Sequence, residues 1–286
     1  MIIALILLSA FLHATWNALL RLEVDKDRSL VAALAFAALF AAIVAGVRLG
    51  FGDGAFTSLR GVWFAVLAGV FEASYFATLA AAMQRGTLGT VYTISRGGAV
   101  LVVWPASVVL FAEAASWSST VGSMLVLGGL AVSGLGARAS RAGASSHGSE
   151  RGAVGWSVVC ALSIAGYHLG YKAALTSGLN PSVCFALALG VAAAINVIRL
   201  RGRRADVVAL VRVRWPRLVV MGIVCGGSFL LLMEALAIGG SGFVLTLRNT
   251  SVLFAVGMGW LIGERPRWSD LSGAALVAAG AAIMAR

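Results

Sequence analysis

Charge is what this sequence has least of. Only 12% of its 286 residues are Asp, Glu, Lys or Arg, and only 11 positions are acidic. A soluble domain carries about 25%. No polar stretch is long enough to fold by itself, since the longest segment between apolar runs is 199–217. Cysteine is scarce as well. Cys160, Cys184 and Cys225 each lie inside an apolar run, which excludes a disulfide framework and reads as small core side chains. No nucleotide-cradling glycine loop followed by lysine is present, and no His, Cys, Asp and Glu cluster has ligand spacing. Neither a cofactor nor a metal is therefore expected, and ATP-driven pumping by this chain is excluded. The start, MIIALILLSAFLHATWN, lacks the basic region of a secretory signal and carries His13, Trp16 and Asn17. It reads as a retained first crossing.

Apolar residues fill the space that charge leaves. They make up 60% of the chain, more than burial in water can absorb, so the solvent is lipid. A span needs about 20 largely apolar residues. Ten runs qualify: 2–20, 29–47, 61–83, 88–111, 119–137, 153–172, 181–198, 218–238, 242–262 and 269–285. The net charge of +11 does not point to nucleic acid, because the basic residues lie in short loops between these runs. Sixteen of the 22 Lys and Arg follow odd-numbered crossings. The positive-inside rule then places those loops in the cytoplasm and both termini outside. The Arg199–Arg217 loop weighs most, and its VVALVRVRW portion has the pattern of a short amphipathic helix on the membrane surface.

The chain repeats itself at an offset of 151 residues. Trp16-Asn17 matches Tyr167-His168, Arg21 matches Lys172, Glu113 matches Glu264, Gly122 matches Gly273 and Gly129 matches Gly280. Five crossings per half is an odd number, so the second half must enter the membrane upside down. The predicted fold is an all-α integral membrane protein, ten transmembrane helices in two inverted five-helix repeats. The repeats are 1–137 and 153–286, joined by a basic, flexible linker at 138–152. Inverted repeats with a central site are the plan of secondary transporters.

Two crossings hold an arginine inside the apolar run: Arg96 in TLGTVYTISRGGAVLVVWPASVVLFAE and Arg248 in GGSGFVLTLRNTSVLFAVGMGWLIGE. Such a residue costs about 2.5–3.5 kcal/mol on insertion scales. The two differ by 152 rather than 151, a local slip of one residue. Arg96 lies roughly 13 Å into its helix, too deep to reach water easily, whereas Arg248 is nearer an end. Both suit a carboxylate or phosphate, for which guanidinium is a planar, permanently charged fork. The alternative is an ion pair with Glu72 or Glu234 that only joins helices. Either glutamate is also a candidate carrier of a coupled proton.

His13, Trp16 and Asn17 stand at i, i+3 and i+4 on one helical face. Their repeat mates are Ile164, Tyr167 and His168. With Tyr75 they form a candidate cavity wall; the plainer reading is interhelical hydrogen bonding. Tyr92, Ser95, Trp104 and Asn249 are weaker lining candidates. Glu113 and Glu264 close their helices and are expected to tie the following turns to backbone or basic groups. Gly166/Gly170, Gly222/Gly226 and Gly259/Gly263 have the spacing of close helix contacts. The Gly-x-Ser-Gly run at 239–242 resembles an intramembrane serine protease motif, with His13 or His168 as base. It falls at a turn, and the duplication fits no such protease, so no catalytic residue is predicted.

The segments LLSAFLHATWNALLR at 7–21, AEAASWSSTVGSMLVLGGLAVSG at 112–134 and LIGERPRWSDLSGAALVAAGAAIM at 261–284 resemble the drug/metabolite transporter superfamily, EamA-type members in particular. The resemblance spans nearly the whole chain. It implies a secondary transporter moving a small metabolite through a cavity between the halves, and it implies cytoplasmic termini, the opposite of the charge count. Members similar in carrying sugar phosphates place cations on the fourth and ninth helices, the positions of Arg96 and Arg248. The reading is a multi-pass protein of the cell's inner (plasma) membrane that moves a small polar, anionic or zwitterionic metabolite by alternating access. Its expected partners are that substrate and the bilayer, not nucleic acid, and a homodimer is left open. Substrate binding falls to Arg96, Arg248, Trp16, Asn17, Tyr75, Tyr167 and His168, with Glu72 and Glu234 as coupling or ion-pair residues. The alternative is a lipid-translocating or structural multi-pass protein.

Overall fold

The computed structural model describes every residue except 53, 55–57, 86–90, 92, 115, 140–146, 262–267 and 285–286; of residues 93, 133, 135–139, 147–151 and 259 it describes the backbone alone. Among the described residues the chain is helical throughout, with no strand. The helices are α1 (Ile2–Arg21), α2 (Lys26–Gly50), α3 (Leu59–Arg85), a π-helical turn (Thr93–Gly97) leading into α4 (Gly98–Phe111), and α5 (Trp117–Ala139). The second half holds α6 (His147–Thr176), α7 (Pro181–Arg199), α8 (Arg204–Ile238), α9 (Ser241–Arg248), α10 (Ser251–Leu261) and α11 (Trp268–Met284). Seven of these segments are long and apolar enough to cross a membrane. Two shorter apolar helices, 117–132 and 268–284, and the broken pair α9–α10 complete the ten predicted crossings.

The boundaries follow local chemistry. Asp25 caps α2 by accepting from the Arg28 N–H, and Asn180 caps α7 by accepting from the Ser182 N–H, with Pro181 at the first helical position. Two expectations need correcting. The ninth crossing is not one helix but two, interrupted at Asn249–Thr250. The basic stretch before crossing eight is not a separate helix: α8 runs unbroken for 35 residues with Pro216 inside it. Ala, Leu and Arg sustain helix there, and a short 3₁₀ turn at Arg201–Arg203 is all that parts it from α7.

Packing is symmetric between the halves. α3 lies on α6 as α8 lies on α1, α3 on α7 as α8 on α2, and α4 on α6 as α10 on α1. The closing helices of the two halves, α5 and α11, pack on each other through four glycines. A Cβ on Gly122 would meet the Gly280 carbonyl oxygen at 2.7 Å, and one on Gly129 would meet that of Gly273 at 2.5 Å. Gly122 and Gly273 are repeat mates, as are Gly129 and Gly280, so the crossing is its own image under exchange of the halves. The pairing is antiparallel, so equivalent helices run in opposite directions and the repeats are inverted. Elsewhere Gly69 meets the Ala188 carbonyl on α7, and Gly222 that of Ala33 on α2, at 2.5 and 2.7 Å from a would-be Cβ. In lipid, where burial drives no association, such close backbone approach supplies the packing energy.

Candidate functional site

The midpoint of the bundle holds a connected polar and aromatic cluster. His13, on α1, is its hub. Both of its ring nitrogens face donors: the Trp16 Nε1–H donates to Nδ1 at 3.1 Å, Arg248 Nη2 stands 3.1 Å from the same nitrogen, and Arg96 Nη2 contacts Nε2. The one-face spacing of His13 and Trp16 brings the first pair together. Arg96 and Arg248 arrive from opposite halves, as the repeat requires. Arg248 also donates to Ser228 Oγ at 3.1 Å, and its guanidinium carbon lies 4.5 Å from the centre of the Phe229 ring. Ser228 in turn is tied to α1, since its hydroxyl donates to the Ser9 carbonyl at 3.0 Å and the Ser9 hydroxyl donates to that of Ser228 at 2.7 Å. All of these groups are buried.

Aromatic rings extend the cluster towards α3 and α6. Trp16 packs edge-on against Phe76, and Tyr75 against Tyr167 with centroids 5.6 Å apart. Tyr167 touches Phe229, His168 and Tyr171. Tyr171 then donates its hydroxyl to Glu72 Oε2 at 2.7 Å. Glu72 is wholly buried, and among the described residues its other oxygen has no hydrogen-bond partner. The same holds for both His168 nitrogens, Arg248 Nε and Nη1, both side-chain polar atoms of Asn249 and the Thr250 hydroxyl. Buried polar atoms in folded proteins are ordinarily bonded. Open ones concentrated near a cationic centre make this region the candidate site.

Of the residues singled out from the sequence, Arg96, Arg248, Trp16, Tyr75, Tyr167 and His168 are brought into this cluster, with Glu72 at its rim. Arg248 is fully buried rather than reaching an interface. Asn17 turns its amide back to the His13 carbonyl on its own helix at 2.7 Å, and stands at the edge. Glu234 lies elsewhere: it pairs with Arg48 of α2, partly exposed. The sequence offered Glu234 to the two intramembrane arginines. The α2–α8 packing gives it a nearer cation, one that sits in the last turn of α2 rather than in a loop. Among the described residues no carboxylate lies within ion-pair distance of Arg248. Tyr92 and Glu264 lie outside the described residues.

Glu113 acts on backbone, as expected. Its carboxylate accepts from the Ser241 N–H at 2.7 Å and the Gly242 N–H at 3.4 Å, capping α9 from the end of α4. Anionic groups belong at that pole of a helix. Lys172, the last residue of the predicted sixth crossing, lies within α6 and donates to the Leu236 and Gly239 carbonyls at 2.9 and 2.7 Å. Glu113 and Lys172 therefore clasp the turn that leads into the ninth crossing from its two sides. A cavity of about 230 Å³ opens beside it, lined by Trp104, Ser107, Glu113 and Gly240 among others.

The sequence reading placed His13 behind Trp16 and Asn17, and did not single out Ser228 or Phe229. The helical face already contained His13. What raises it is the pair of guanidinium groups on either side, and these come from crossings 83 and 235 positions away.

Inverted repeats around a buried polar centre, incompletely bonded among the described residues, are the architectural plan of secondary transporters. The comparisons agree. Residues 151–286 match the EamA-like transporter family. Through that second half the chain is recognised as EamA-like, of the drug/metabolite transporter superfamily, whose EamA-like members are transporters. A crystal structure of one protein superposes with a TM-score of 0.71, covering 99% of this chain and 96% of that chain at 18% identity. At that identity the likeness concerns the fold. No curated protein matches.

Proposed function

We propose that this protein is a secondary transporter of a small polar metabolite with an anionic group, bound between the halves and released alternately to the two sides of the plasma membrane. The observation that carries the reading is His13 held between two buried guanidinium groups. The Trp16 Nε1–H can only donate, so Nδ1 must accept, and a neutral imidazole then carries its proton on Nε2. That N–H faces Arg96, donor against donor. Arg248 adds two buried N–H-bearing nitrogens with no partner among the described residues. An incoming carboxylate or phosphate accepts from both arginines at once, relieving the conflict at His13 and neutralising the centre.

The remaining residues have roles that fit. Trp16, Tyr75, Tyr167 and His168 form the wall, with Asn17 at its edge. Glu72 is the candidate carrier of a coupled proton, because it is buried, tied only to the Tyr171 hydroxyl among the described residues, and joined to the cationic centre through aromatic contacts. Glu234 keeps a structural ion pair. The two repeats, 1–137 and 153–286, rock about this centre. Neither nucleic acid nor a cofactor has a part in the reading.

The test is thermal stability of the detergent-purified protein against anionic, zwitterionic and neutral metabolites, with Arg96→Gln and Arg248→Gln in parallel. A ligand at 100 times its Kd stabilises by about 2.7 kcal/mol. Stabilisation by anion-bearing compounds, lost in both variants while their own folded yield is kept, is the expected result. Stabilisation that survives both substitutions overturns the anion site.

A further inference from the structure

Four arginines at one end of the molecule have no assignment in this mechanism. The turn between α1 and α2, the end of α7 and the start of α8 meet there in a web of ion pairs. Arg28 pairs with Asp25 and Asp206, Arg199 with Asp27, and Arg214 and Arg217 with Glu23. These contacts fix the course of the basic stretch. Asp206 and Arg217, 11 positions and about 16 Å apart along α8, are both pinned to residues at the α1–α2 connection, so this stretch is held against that end of the bundle. Pro216 marks where it joins the crossing. The remaining part of α8, residues 218–238, is 21 residues, about 31 Å, enough for the hydrocarbon core by itself.

The stretch has two faces. Val207, Leu210 and Val211 pack inward on the core, beside the paired Arg214 and Arg217. Outward stand Arg212 with Val208 at 50% exposure, Val213 at 80% and Trp215 at 57%. Arg201, Arg203 and Arg204 are exposed just before it. Among the described residues Arg201, Arg203, Arg204 and Arg212 form no ion pair, in a region where each acidic neighbour is already taken. Exposed apolar side chains with a tryptophan suit neither bulk water nor the hydrocarbon core. They suit the boundary between them, and uncompensated arginines at that depth meet phosphates.

We propose that Arg201, Arg203, Arg204 and Arg212, with Val208, Val213 and Trp215 at the acyl boundary, form a binding surface for anionic phospholipid headgroups of the leaflet at this end. The lipid clamps the α1–α2 and α7–α8 hairpins to one surface. This goes beyond orientation: a topological signal needs only positive charge somewhere in the loop, whereas this surface predicts stoichiometric, selective retention of lipid.

The experiment uses the full-length protein, delipidated in neutral detergent and titrated with short-chain phosphatidylglycerol or phosphatidylcholine. Bound lipid is counted by native mass spectrometry, and thermal melting checks the fold. Phosphatidylglycerol should bind about tenfold or more tighter than phosphatidylcholine, as expected where each basic side chain near a lipid surface adds about a factor of five. The preference should vanish in the combined R201Q/R203Q/R204Q/R212Q variant and persist in the matching Arg→Lys variant. If the glutamine variant does not assemble, the wild type decides by salt: a preference that disappears at high salt supports the surface, and one that survives overturns it. Equal binding of the two lipids overturns it too. So does equally tight binding of free glycerol phosphate, which would make this a soluble-anion site, or a preference undiminished in the glutamine variant.

Discussion

The fourth and ninth crossings are copies of one element, and they deliver the same side chain to the same centre by opposite distortions. Around Arg96 the backbone is underwound into a π-helical turn, Thr93–Gly97. After Arg248 it is overwound: Asn249, Thr250, Val252 and Leu253 each donate to the carbonyl three residues earlier, at 2.9–3.1 Å, and the helix restarts as α10. A π turn accommodates more residues than an α turn, and a 3₁₀ turn fewer. This accounts for the one-residue slip in the repeat. From Arg96 to Glu113 is 17 positions, and from Arg248 to Glu264 is 16. The flanking matches keep register because the extra residue is absorbed within the turn.

The two solutions leave different residues in need. In crossing four the Ser95 hydroxyl donates to the Val91 carbonyl at 2.6 Å and is satisfied on its own helix. In crossing nine the interruption turns Asn249 and Thr250 inward with side chains that find no partner among the described residues. Among the described residues crossing nine thus carries the larger unmet demand at its distortion, and the comparison ranks the arginines. Replacing Arg248 with Gln should weaken anion binding by about 2–5 kcal/mol, the usual loss when one member of a buried charged contact is removed. Arg96→Gln should cost less, because it also ends the donor conflict at His13. Binding measured on folded protein by ligand-induced melting shift checks the order. Equal losses would mean that the two crossings are functionally equivalent despite their geometry.

A second break is made in the frame that holds the two crossings level. Gly129→Val sets a side chain against the Gly273 carbonyl and Val277, contacts already at 2.5 and 2.9 Å for a bare Cβ. Overpacking of this kind costs about 1–3 kcal/mol, read as a fall in melting temperature. Its repeat mate Gly280 meets the Gly122 carbonyl at 2.6 Å and should lose a similar amount on the same change. Gly128, one position from Gly129 with no atom near its Cβ direction, should tolerate valine. A large loss at Gly128, or none at Gly129, would remove the symmetric crossing from the argument.

Much of this was legible in the chain because lipid imposes simple rules. Ten apolar runs gave ten crossings, and the glycines and glutamates at one offset gave the repeat. Arg96 and Arg248 announced the centre by their cost. What the sequence did not disclose is what meets across the bundle. Glu234 read as a partner for the intramembrane arginines, yet its nearest cation is Arg48, a residue whose last-turn position looked like a loop. His13 read as the least of three residues on a stripe, and only the convergence of two distant helices makes it the hub. The break at Asn249–Thr250 had a trace in the register slip, but a slip of one residue does not say which copy is stretched and which compressed.

Asn249 tests whether the unmet demand is functional. Without ligand, a buried amide lacking partners costs about 1–3 kcal/mol. Asn249→Ala should therefore stabilise the ligand-free protein by about 1 kcal/mol while weakening binding by a similar amount, the trade expected of a residue kept for function. Destabilisation of the ligand-free protein would show that Asn249 is already satisfied, and would return crossing nine to the same footing as crossing four.

The smallest effect is expected at the clasp. Glu113→Gln keeps an acceptor for the Ser241 N–H but removes the negative charge from the positive pole of α9. The loss should be about 0.3–1 kcal/mol, the usual size of such a charge–helix interaction. Glu113→Ala removes the cap as well and should cost about 1 kcal/mol more. Because α9 ends at Arg248, loosening its first turn loosens the arginine, so both variants should also weaken anion binding, the alanine more. A stability loss with binding unchanged would mean that the eight-residue helix holds Arg248 through Ser228 and Phe229 alone. The ninth crossing would then need no clasp to present its charge.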